Sequence, residues 1–128
     1  MDLYNKYVNE LKEDFILNSI NIKEVLYRLP SKKHFWSARL VNHKIEVQKL
    51  KKVKTKLLTM HKDEKKSPIK LTKDNEKNLL DSLPQVEQIN DNIFEQECII
   101  ELIQHALETF KSMDWQVKNL VQLMTMEM

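Results

Sequence analysis

Not one glycine occurs in this 128-residue chain. An average sequence carries about 7% glycine, so about nine were to be expected. Glycine supplies the positive φ of tight turns and lets a backbone lie close against a phosphate. Without it the Walker loop, the dinucleotide fingerprint and glycine-lined oxyanion loops cannot be written. Type I′ and II′ hairpins become hard to build. What remains is an all-α fold, helices joined by polar loops. The length fits one domain, and 41% hydrophobic with 31% charged residues suits amphipathic helices.

Periodicity supplies the helices. Leu3, Tyr7, Leu11 and Phe15 recur every fourth residue behind Asp2, which predicts a first helix ending near Asn18-Ser19. Ile20 to Leu29 reads either as a short helix or as an extended link. Pro30 fits the first turn of a helix, where a missing N–H is harmless, and a long basic helix is expected over about 30–61. Trp36, Leu40, His43, Val47, Leu50, Lys54 and Leu57 step by four and three in alternation, a coiled-coil seam with a histidine and a lysine in two of its places. Residues 62–81 read as a linker with a short helix from Thr72 or Asp74 through Leu80. A second long helix is expected over 82–113, with Pro84 near its start and a seam of Val86, Ile89, Ile93, Gln96, Ile100, Ile103, Leu107 and Phe110. The pattern breaks at Met113-Asp114. Residues 114–128 then read as a separate apolar helix. Its Trp115, Val117, Leu120, Val121 and Met124 predict self-association, since such patches mark contact surfaces.

Charge is strongly segregated. The net charge is only +2, yet Lys32 to Lys77 holds fifteen basic residues against five acidic ones. From Asn78 onward two basic residues face nine acidic ones. The middle of the chain therefore attracts a polyanion. On a helical wheel with Lys44 at zero, Lys51, Lys52, Lys56 and Lys49 spread over a broad face, while Leu50, Val53 and Leu57 cluster at roughly 180° to 240°. Lys54 borders that apolar stripe. Like charges at i,i+3 and i,i+4 each cost an isolated helix about 0.2–0.5 kcal/mol, which a phosphate backbone would offset. If six of these lysines meet one strand, log affinity falls against log salt with a slope of about four. Phe35 and Trp36 lie close enough to stack on bases, or else anchor the core. Two other fates for the lysine face stay open: plain solvation, or neutralisation by the acidic ladders Glu87-Asp91-Glu95 and Glu97-Glu101.

Catalysis has no candidate. His34, His43, His61 and His105 stand nine or more residues apart, with no HExxH or CxxC, so no metal site or cofactor is expected. No Ser or Cys has a base at motif spacing. Cys98, the single cysteine, is flanked by Ile99 and Ile100 and reads as an inert, buried thiol. No secretory signal and no apolar run of about 20 residues appears, so a cytoplasmic protein without a membrane span is expected.

Several stretches resemble the UvsY-type recombination mediator proteins of T-even-like phages. Leu29-Pro30 with His34 and Trp36 is similar to the head of that family's long helix. Ile45-Glu46-Val47-Gln48-Lys49 through Lys54-Thr55-Lys56-Leu57 resembles its basic helix. Trp115-Gln116-Val117-Lys118-Asn119 resembles its C-terminal motif, and Ile69-Lys70-Leu71 with Leu80-Asp81-Ser82 is similar between them. The likeness spans nearly the whole chain in order. The chain departs from the family at Leu58-Thr59-Met60-His61, in place of an aromatic turn with glycine, and at Met113-Asp114, in place of Arg-Gly. The resemblance implies a helical protomer closing through its C-terminal helix into a ring-like homo-oligomer, a hexamer or heptamer. It implies binding of single-stranded DNA and loading of a phage recombinase onto strand covered by single-strand-binding protein. It places the DNA-binding basic pair on Lys54 and Lys56; the wheel adds Lys44, Lys49, Lys51 and Lys52. The competing reading is a homo-oligomeric helical adaptor that binds no nucleic acid. A double-strand regulator is a third, without a base-reading signature to support it.

Overall fold

The computed structural model of the chain describes residues 2–15, 22–64 and 83–126. Among them there are three helices and no strand: α1 (Asp2–Asp14), α2 (Ile22–Glu64) and α3 (Pro84–Met126). Pro84 opens α3, and the amide of Glu87 donates to the carbonyl of Leu83 at 2.9 Å. Proline there costs no hydrogen bond. The chain divides into two compact units, Met1–Asn42 with Cys98–Met128, and His43–Glu97.

The first unit holds a three-helix core. Tyr7 and Leu11 of α1, Leu29 and Trp36 of α2, and Ile99, Ile103, Ala106, Phe110 and Met113 of α3 form one buried cluster. Trp36 has no exposed surface. Its indole N–H donates to Asp14 Oδ2 at 3.0 Å, and its ring meets Tyr7 edge-on at 5.3 Å. Burying that much aromatic surface while giving the N–H a partner is what a large core anchor requires. The Arg39 guanidinium lies over the rings of Tyr7, Phe35 and Trp36, at 4.6, 4.1 and 4.7 Å from their centroids, and pairs with Glu10.

Several expected boundaries move. Residues 22–29, left open between helix and link, are helical, and Pro30 lies inside α2 rather than in its first turn. The first helix stops at Asp14, earlier than Asn18. The expected short helix over Thr72–Leu80 lies outside the described residues. The expected break at Met113-Asp114 is absent, because α3 runs unbroken to Met126. The buried line of α3 in the first unit is Ile99, Ile103, Ala106, Phe110, Met113 and Val117. It steps by four, three, four, three and four, so the pattern passes straight through Met113. The predicted seam of Ile100, Ile103 and Leu107 is one edge of a wider face, which α3 needs because it packs against two helices here.

Candidate nucleic-acid interface

The second unit is built on the two predicted seams. On α2, Val47 is buried and His43, Leu50, Lys54 and Leu57 are half-buried. On α3, Val86 is buried and Ile89, Ile93 and Gln96 are half-buried. The two polar members meet: His43 Nδ1 and Gln96 Oε1 are 2.6 Å apart. A polar pair within an apolar seam fixes register, since any slip leaves both groups facing hydrocarbon.

Seating the seam this way turns the opposite side of α2 outward. Lys44, Lys49, Lys51, Lys52 and Lys56 are all exposed, while Lys54 is half-buried at the seam. The expected apolar stripe is corrected at one place. Val53 is 48% exposed, because the buried line runs through Val47, Leu50, Lys54 and Leu57 and leaves it among the lysines.

Basic residues nearer the start of α2, in the first unit, are spent differently. Lys32 pairs with Asp14 at 3.0 Å, Lys33 with Asp114 at 3.7 Å, and Arg39 with Glu10. Those cations hold helices together. Of the two aromatics considered as base-stacking partners, Trp36 is enclosed in the core, and Phe35 is exposed with Arg39 over its ring.

The acidic ladders also face outward. Glu87, Asp91, Glu97 and Glu101 are exposed and Glu95 is half-buried. Phe94, which periodicity did not single out, is 63% exposed between Asp91 and Glu97. Its place off the seam, between acidic residues, was the available signal. Cys98 is half-buried, short of the full burial expected.

In the last part of α3, Trp115 is 68% exposed, Leu120 and Met124 are exposed, and Val121 is half-buried. Val117 is fully buried by the chain itself, so it offers nothing to a partner. Leu123 and Met126 extend the exposed apolar surface instead. Among the described residues no group of three or more His, Cys, Asp or Glu is placed to hold a metal ion, and no helix is long and apolar enough to cross a membrane.

No family model matches the sequence, and no curated protein matches it by sequence. Solved structures do match. Three crystal forms of the recombination mediator protein UvsY of bacteriophage T4 superpose on the chain. Lattice type IV gives a TM-score of 0.86 at 16% identity, covering 98% of each chain. Lattice type II gives 0.84 at 17% identity and 96% of each. Lattice type I gives 0.81 at 17% identity, with 94% of this chain and 97% of the other. The likeness met first in short sequence stretches extends to the fold, and this chain has a UvsY-like fold.

Proposed function

We propose that the chain is a single-stranded DNA-binding recombination mediator, which helps load a phage recombinase onto strand covered by single-strand-binding protein. The observation that carries this reading is the contrast along α2. Lys32, Lys33 and Arg39 are paired with carboxylates, whereas Lys44, Lys49, Lys51, Lys52 and Lys56 stand exposed on a helix that gains nothing from their mutual repulsion. A phosphate backbone relieves that repulsion and releases its own counterions. The UvsY-like fold supports the reading, since the T4 protein of that fold is a recombination mediator. Lys54, at the border of the face, completes the six.

The protomers assemble through the apolar end of α3, the exposed Trp115, Leu120 and Met124 with the half-buried Val121, into a hexameric or heptameric ring. One lysine helix holds a flexible strand weakly. A ring presents several copies and raises their effective concentration along the strand. Wrapping the strand this way weakens the covering protein's grip and exposes DNA to the recombinase. No metal, cofactor or covalent step is involved, and the site of action is the host cytoplasm.

Fluorescence anisotropy with a labelled oligonucleotide at two salt concentrations tests the reading. Tight binding at low salt that weakens sharply at high salt is expected. An absence of binding at both would overturn it and leave the adaptor. A protein that remains monomeric in light scattering at micromolar concentration would overturn the ring.

A further inference from the structure

The second unit carries two exposed faces of opposite charge and similar construction. On α2, Lys49, Lys52 and Lys56 surround the exposed Val53. On α3, Glu87, Asp91 and Glu97 surround the exposed Phe94. The lysines extend over about 10 Å of helix and the carboxylates over about 15 Å, at 1.5 Å per residue. Each face is a charged rim around one apolar side chain. Each also sets like charges at i,i+3 or i,i+4, which costs its own helix stability.

The two faces do not meet within the chain. Among the described residues no ion pair joins Lys49, Lys52 or Lys56 to Glu87, Asp91 or Glu97, and all six are exposed. Among the described residues, the neutralisation that their charges invite is not made within the chain. A second copy offers it with both parts matched: carboxylates to lysines at the rim, Phe94 to Val53 at the centre.

We propose that, without DNA, the lysine face of one copy docks on the acidic face of the next, and that single-stranded DNA displaces this contact. The docking uses different surfaces on the two partners, so it runs head to tail and is compatible with a closed ring. Exposed ion pairs contribute little singly. Copies already held together by their C-terminal ends meet at high effective concentration, so a weak contact suffices. Weakness is also what lets a polyanion compete. The displacement step rests on the DNA binding proposed above, and the effective concentration on the assembly proposed there; the complementarity of the two faces rests on neither.

A cross-linking experiment tests the contact. In a Cys98→Ser background, Lys52→Cys and Asp91→Cys proteins are mixed and mildly oxidised. A disulfide-linked heterodimer is expected, lost when excess oligonucleotide is present. Yield no higher than with Glu108→Cys, exposed on the same helix in the first unit, would overturn the docking. A second measurement reads the masking. Glu87→Gln/Asp91→Asn should raise apparent oligonucleotide affinity by about threefold or more, because a larger fraction of lysine faces is open. Glu101→Gln/Glu108→Gln should not. Equal gains in both would show a general charge effect and overturn the masking. If neither wild type nor variant binds oligonucleotide, the function proposed above and the displacement step both fall, and the cross-link alone decides the docking.

Discussion

His43 and Gln96 show how single residues set this architecture. Each occupies a seam position where leucine or isoleucine would be expected, and each faces the other at 2.6 Å. Truncating His43 leaves Gln96 facing a half-apolar layer, whereas replacing both with leucine removes the demand that each makes on the other. His43→Ala should lower stability by about 1 kcal/mol in urea denaturation. His43→Leu/Gln96→Leu should match or exceed wild type. A double variant less stable than the single one would show that the pair does more than satisfy itself. Sequence placed both residues in their seams but not opposite each other, because register between helices lies in three dimensions. Arg39 is a similar case. Its charge counted toward the basic middle of the chain, yet it is committed to Glu10 and three aromatic rings.

Among the elements, α2 was legible in its seam and misjudged at its start. Proline at a helix interior position lacks the N–H that the carbonyl four residues earlier would accept from. That rule argued for starting the helix at Pro30. The structure instead begins α2 at Ile22, reinforced by Arg28 paired with Glu24 at 2.5 Å across one turn. Leu29 and Trp36 are both buried in the same core, so packing on either side holds the helix through the proline. Pro30→Ala should therefore stabilise the protein by about 1–3 kcal/mol, seen as a higher urea midpoint. A lower midpoint would show that the ring fixes a backbone direction the fold needs. On α3 the illegible feature was continuity. Asp114 looked like a break because one of its lysine partners, Lys33, is 81 positions earlier; the other, Lys118, is one turn away at 3.2 Å. Broad amphipathic faces read poorly as single seams wherever one helix packs on two.

For the whole molecule, composition and charge foretold an all-α chain with a basic middle, and the UvsY-like backbone agrees with the first of these. Exposure of the lysine face could not be read from sequence, since the wheel does not say whether the acidic ladders of the other long helix lie against it. The proposed assembly draws on what the protomer leaves uncovered. Leu123 and Met124 lie exposed at the end of α3, outside the core cluster. Leu123→Glu/Met124→Glu should keep the helical circular dichroism and shift the sedimenting species toward monomer. An unchanged sedimentation profile would place the assembly surface elsewhere.

The central claim is that positive side chains left outward on α2 hold phosphates. The most direct measurement is the salt dependence of oligonucleotide affinity for the wild type and for a variant with Lys44, Lys49, Lys51, Lys52 and Lys56 replaced by glutamine. Each lost single-strand phosphate contact removes about 0.7 from the log–log slope, so the slope should fall by about three and a half and binding at low salt should collapse. A variant with wild-type affinity and wild-type slope would contradict the account.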